Sequence, residues 1–189
     1  MLPLSREHSE SIFFCIRAAL DIRGDLGNAA STLARSYGLP GHVLDPSLLH
    51  ITLCEIGRAK RQREPLRTAV KRAGDSVRLP QFELILDHTL GFKQGNRGFP
   101  NVLLPDASSA RMLCLLHDAL RTAQLFNGLT ATKSYTPHLT LTRSSEYWPH
   151  GGPISPVRWL VEEFELVHSY HDGRRRHEVL ARFPLMKSI

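Results

Sequence analysis

Several things are scarce in this sequence, and each shortage closes off a class of protein. Cysteine is scarce: Cys15, Cys54 and Cys114 are the three in 189 residues, with no C-x-x-C spacing. An odd number so widely spread argues against a disulfide framework or a zinc ribbon and fits a reduced, cytoplasmic setting. Long apolar runs are missing too. A membrane-spanning helix needs about 18 such residues, and the N-terminal stretch "SIFFCIRAAL" is already broken by Arg17. The acids in the preceding "MLPLSREHSE" argue against a secretory signal peptide. Acidic side chains are outnumbered, 18 Asp and Glu against 24 Lys and Arg, for a net charge of +6. A basic surface favours polyanions such as nucleic acid, although the same charge also serves solubility. The Gly-rich segment "FKQGNRGFPN" at 92–101 lacks the spacing of a phosphate-binding loop and reads as a connector at a cleft edge.

What is present is a succession of strands and helices. "IFFCI" at 12–16 is aromatic and β-branched and reads as a buried strand. Ile22, Leu26, Ala29 or Ala30, and Leu33 recur at helical spacing, so a helix is expected over 21–38, stopped by Gly38-Leu39-Pro40. "HITLCEIG" at 50–57 reads as a strand, 64–73 as a short helix with Pro65 in its first turn, 82–92 as a strand and 101–105 as another. The clearest helix is 108–126. Met112, Leu113, Leu116, Leu120 and Ala123 or Gln124 share one face, Ser108 or Ser109 can cap it, and Asn127-Gly128 ends it. A strand follows at 138–143. The segment 144–159, rich in Pro, Gly and aromatics, reads as a long loop. Residues 157–171 end in a strand that pairs with 177–185 across an Asp172-Gly173 turn.

This order repeats. Each half of the chain runs strand, helix, strand, and the closing strands are spelled "HITL" at 50–53 and "HLTL" at 138–141. Phe14 precedes His50 by 36 residues, and Leu103 precedes His138 by 35. Matched order and spacing suggest a duplicated lobe, and the mixture of strands with a few helices indicates an α+β fold with antiparallel pairing.

Side chains on a strand alternate faces, so His50 and Thr52 share one, as do His138 and Thr140, with Cys54 and Thr142 next in each series. Ile51, Leu53, Leu139 and Leu141 point to the other face. Two His-hydroxyl pairs on matched strands can line one cleft. Cleavage of a phosphodiester needs a base for the nucleophile and an acid for the leaving oxygen, and imidazole suits both jobs at neutral pH. In-line displacement places the two rings on opposite sides of phosphorus. Threonine hydroxyls can donate to the non-bridging oxygens. This chemistry requires no metal or other cofactor. Which ring is acid and which is base is left open by a pseudo-symmetric pair.

The chain resembles the two-histidine phosphoesterases, and among them the bacterial and archaeal RNA 2′,3′-cyclic phosphodiesterases, also called 2′-5′ RNA ligases. The resemblance rests on "LHITL" at 49–53, "PHLTLTR" at 137–143, the early "FF" strand, the long helix before the second motif and the closing "ELVHSYHDGRRRHEVLARFPL". It implies an α+β fold of two pseudo-symmetric antiparallel lobes with outer helices around a central cleft. One domain would span 1–189, with lobes of 1–92 and 93–189 that can exchange terminal strands. It implies His50 as general acid, His138 as general base, Thr52 and Thr140 as phosphate ligands, and Arg143 as a cation for phosphate or substrate. The implied activity is metal-independent opening of RNA 2′,3′-cyclic phosphate ends to 2′-phosphates, with 2′-5′ ligation by the reverse chemistry. Small cyclic nucleotides or other phosphoesters are the alternative substrates, and a silent RNA-binding module is the alternative class. A monomer with no membrane partner is expected.

Other features carry weaker signals. By strand parity Glu55 faces away from His50. His168, His171 and His177 lie near Asp172, but His168 and His171 are three apart on a strand and so fall on opposite faces, which argues against a metal site. "GRRRH" at 173–177 reads as a solvated turn or a basic lip for an RNA backbone. Tyr147 or Trp148 could stack on a base or pack in an ordinary loop.

Overall fold

A computed structural model of the protein describes residues 10–36, 41–58, 64–93, 98–171 and 175–187. In chain order the elements are β1 (Ser11–Arg17), α1 (Ile22–Ser36), β2 (Gly41–Val43), β3 (His50–Arg58), α2 (Glu64–Asp75), β4 (Phe82–Gly91), β5 (Phe99–Pro105), α3 (Ala107–Phe126), β6 (Leu139–Ser144), β7 (Gly151–Val161), β8 (Glu163–His171) and β9 (Arg175–Pro184). Eight strands lie in the order β7-β4-β5-β6-β3-β1-β8-β9, and β2 joins β6. Each of these strand pairs is antiparallel, so the fold is α+β as the sequence pattern implied.

The order reads the same outward from its centre. β3-β1-β8-β9 on one side mirrors β6-β5-β4-β7 on the other. Each side mixes strands from early and late in the chain: β8 and β9 complete the lobe of β1 and β3, and β4 the lobe of β5 and β6. Helix α1 packs on β6 and β7, whereas α3 packs on β3, β4 and β5.

The run "IFFCI" explains its own burial. Ile12, Phe14 and Ile16 enter the main core with Leu26 and Leu33 of α1 and Leu113, Leu116 and Leu120 of α3. Phe13 and Cys15 form a smaller cluster with Val167. A strand buried on both faces is apolar throughout rather than alternating. Phe164 and Phe183 stack at 4.9 Å, and Phe14 meets both edge-on. Each such side chain contributes about 1.5–3 kcal/mol on burial.

Two expectations change. The proposed loop over 144–159 is largely strand, because β7 begins at Gly151 and pairs along β4. Pro153 and Pro156 pointed toward a loop, but β7 is the edge strand of the described sheet. On an outer side that carries no ladder, a missing N–H is not felt. The cap of α3 is Asp106, whose carboxylate accepts from the Ser109 amide at 2.8 Å. Ser109 is buried instead, and its Oγ accepts from the Ile85 amide, tying the helix start to β4. Asn127 ends α3 as expected, followed by Gly128 at φ +73°. The Gly38-Leu39-Pro40 stop and the Asp172-Gly173 turn lie outside the described residues.

Candidate active site

β3 and β6 meet at the centre of the sheet, where the bridge pair is Ile51–Leu139. Each of these residues directly follows a histidine, and both are fully buried. Their burial turns the preceding and following side chains, His50 and Thr52 on one strand and His138 and Thr140 on the other, to the opposite face. There they line one cleft of about 250 Å³ together with Arg143. All five residues singled out from the sequence therefore share one cavity.

The two imidazoles are held alike. Nδ1–H of His50 donates to the carbonyl of Leu48 at 2.6 Å, and Nδ1–H of His138 donates to the carbonyl of Thr136 at 2.8 Å. A carbonyl can only accept, so the proton of each neutral ring resides on Nδ1 and Nε2 carries the lone pair. The surroundings differ. His50 stacks on Phe13 at 5.0 Å and meets the edge of His177 at 5.1 Å, while His138 meets Phe92 edge-on at 5.0 Å. Withdrawal from water pushes His50 down to about 4, helped by the positive charges of Arg175 and Arg17 and opposed by the Leu48 hydrogen bond. His138 is lowered for the same main reason, with Arg143 adding to it and the Thr136 hydrogen bond opposing. Both shifts favour the neutral form of the ring at pH 7.

Strand parity breaks one step beyond each threonine. Along β1 and β3, Cys15 pairs with Thr52 but Phe14 pairs with Cys54, so Leu53 is bulged out of register. Along β5 and β6, Val102 pairs with Thr140 but Asn101 pairs with Thr142, so Leu141 is bulged in the same way. A bulge inserts one residue and reverses the facing of the residues beyond it. Cys54 and Thr142 are consequently buried rather than facing the cleft beside the threonines. Glu55, expected on the far face, lines the cleft, and so does Arg143 at the matching position of the other strand.

Each bulge has its own anchor. His117 Nδ1 donates to the Leu53 carbonyl at 2.8 Å, and the ring stacks on Tyr135 at 4.4 Å. The Leu141 carbonyl accepts from the Leu44 amide at 2.9 Å, and Asn101 Nδ2 donates to Thr142 Oγ1 at 2.9 Å. Burial raises the Cys54 thiol to about 11 and the Cys15 thiol still further. Both stay protonated at neutral pH, so neither supplies a thiolate nucleophile.

The late basic run contributes more than a turn. Gly173 and Arg174 lie outside the described residues, but Arg175 and His177 are on β9 and line the cleft beside His50. His168 is buried on the other face of β8, 3.3 Å from Glu10, so it does not converge with His177. Trp148 is packed at 8% exposure, and Tyr147 leans on Phe99 at 5.6 Å; neither lines the cleft. Sequence reasoning missed Phe13 as a cleft residue and reached Arg175 and His177 only through the alternative of a basic lip, without placing them beside His50, since each arrives through pairing between segments distant in the chain. A larger groove of about 570 Å³ between α1 and β7 contains none of these groups.

No family model and no curated protein matches the chain. Solved structures do. E. coli LigT in apo form is 25% identical with a TM-score of 0.74, over 95% of this chain and 99% of that one. E. coli LigT complexed with 3′-AMP is 26% identical at 0.74 over the same shares. A phosphoesterase is 27% identical at 0.70, over 94% and 99%. With this sheet and the paired motifs at its centre, the chain belongs to the two-histidine phosphoesterase superfamily.

Proposed function

We propose that the protein is a metal-independent cyclic phosphodiesterase that opens 2′,3′-cyclic phosphates at RNA ends to 2′-phosphates, with 2′-5′ RNA ligation as the reverse chemistry. The observation that carries this reading is the pair of imidazoles. Each is locked by its Nδ1–H to a backbone carbonyl, and each is left with Nε2 as its reactive atom at one cleft. A phosphoryl group between them meets a proton acceptor on one side and a proton donor on the other. That E. coli LigT forms complexes with 3′-AMP and with phosphate supports a nucleotide phosphate as the kind of ligand taken here.

In the proposed cycle His138 Nε2 takes a proton from water as its oxygen attacks phosphorus. The bond from phosphorus to the 3′ oxygen breaks, and Nε2–H of His50 protonates that oxygen. The product keeps its phosphate on the 2′ oxygen. His50 ends neutral, His138 ends protonated, and exchange with solvent resets both. His50 must first gain a proton that its burial disfavours, and the negative charge of the bound phosphate supplies that bias. Thr52 and Thr140 donate to the non-bridging oxygens, and Arg143 faces their charge. The whole chain works as one two-lobed unit and a monomer, in a cytoplasmic setting that keeps its three cysteines as thiols.

The cleft volume of about 250 Å³ supports a second reading, a small cyclic nucleotide as substrate, since that space suits one nucleotide rather than several. The test is turnover of 2′,3′-cyclic mononucleotides and cyclic-phosphate RNA ends in the presence of chelator, with products identified as 2′- or 3′-phosphates. Hydrolysis to 2′-phosphates is expected. Tight, salt-dependent RNA binding with no cleavage of any cyclic phosphate would instead make the protein a binding module.

A further inference from the structure

The two strands that carry the motifs end differently. Five residues beyond each histidine, the matched bulges turn Glu55 and Arg143 into the cleft from opposite lobes. They occupy equivalent places and bear opposite charges. Glu55 is the one acid among the described cleft-lining residues, which include His50, His138, Arg143 and Arg175. It is exposed and makes no hydrogen bond or ion pair with a described residue. A carboxylate open to a cleft that receives a phosphate repels the ligand, unless another part of that ligand offers it hydrogen-bond donors.

On the reading given above, the ligand's donors are few. A 2′,3′-cyclic phosphate consumes both hydroxyls of the last ribose, so on the terminal nucleotide of an RNA end the base carries the donors that remain. An ionised carboxylate is acceptor-only. Guanine offers it two adjacent donors, N1–H and the N2 amino group. Adenine and cytosine offer an amino group beside an acceptor, and uracil one N–H between two carbonyls. Glu55 lies two to three strand positions past Thr52, roughly 7–10 Å at 3.3 Å per residue, which matches the reach from a ribose phosphate to the outer edge of a base.

We infer that Glu55 is a specificity-determining residue that accepts hydrogen bonds from the base of the terminal nucleotide, with the order guanine, then adenine and cytosine, then uracil. Arg143, its counterpart, faces the anionic side of the same ligand. The opposed charges give a pseudo-symmetric cleft one direction of binding.

The experiment compares 2′,3′-cyclic GMP, AMP, CMP and UMP as substrates for the wild type, Glu55→Gln and Glu55→Ala, alongside calorimetric binding of the four 2′-nucleotides. Wild type is expected to favour guanine over uracil by roughly ten- to a hundredfold. Glu55→Gln is expected to bring the four within a few-fold of one another, with uracil unchanged or improved as repulsion is removed. Equal treatment of all bases by the wild type, or a preference that survives both substitutions, overturns the inference. Guanine-selective binding that Glu55→Gln abolishes, without turnover of any cyclic nucleotide, upholds it and overturns the proposed reaction instead.

Discussion

The two lobes repeat a backbone and vary what surrounds it. In both, a histidine donates through Nδ1 to the carbonyl two residues back, the next residue is buried at the central bridge, a threonine follows, and a bulge comes one position later. Around this frame the chemistry diverges. His50 is packed by Phe13 and His177 with Arg175 nearby, and His138 by Phe92. Behind the first bulge sit Cys54 and His117; behind the second, Thr142 and Asn101. The shared backbone supplies two interchangeable imidazoles, and the divergent side chains make one of them different from the other. Acid and base roles are thus a property of the neighbours rather than of the motif.

The largest expected effect tests the shared part. His50→Ala and His138→Ala should each lower kcat/KM on a cyclic nucleotide by about 10²–10⁴, with circular dichroism unchanged. Because the two rings act in one step, the double variant should lose far less than the product of the single losses. A loss confined to one ring would break the equivalence of the lobes.

Thr52→Val and Thr140→Val come next. Each removes one donor to a charged oxygen and should cost about ten- to a hundredfold in kcat/KM. Steady-state kinetics on both variants would show whether the lobes share the phosphate evenly.

The pH dependence sharpens the difference between the rings. His50 is held at about 4 against an ordinary 6.5, so the unfolded chain binds the extra proton between those values. Stability from this group is fully present above about pH 6.5 and is lost as pH falls toward 4. His138 contributes with the same sign. Urea midpoints measured from pH 7.5 to 4 should fall for the wild type, and fall less steeply for His50→Gln. Inorganic phosphate should offset the fall by stabilising the protonated rings.

The smallest effect concerns the bulges. Asn101→Ala leaves the buried Thr142 hydroxyl without its donor and should cost about 1–3 kcal/mol of stability in chemical denaturation. The effect on activity should stay below that of either threonine variant.

The elements were legible in the sequence where period and turn chemistry agree. The β1 run, the face of α3 with Leu113, Leu116 and Leu120, and both His-x-Thr strands could be read directly, and strand alternation put both histidines and both threonines on one face. The facing of Glu55 could not be read, because a bulge depends on the register of the partner strand, which no local pattern encodes. The presence of His177 and Arg175 beside His50 was equally hidden, since β9 reaches the site through β8 and β1. β7 was obscured by two prolines whose cost disappears at a sheet edge.

The proposed reaction requires both rings to present an unprotonated Nε2 to the same cleft before substrate binds. Long-range proton–nitrogen correlation spectra of the histidine-labelled protein at pH 7 test this directly, with His50→Gln and His138→Gln assigning the signals. The account predicts the Nδ1-protonated neutral tautomer for both rings in the free protein, and movement of at least one toward the doubly protonated form on adding inorganic phosphate. An Nε2-protonated tautomer at either position, or two charged rings in the free protein, would contradict it.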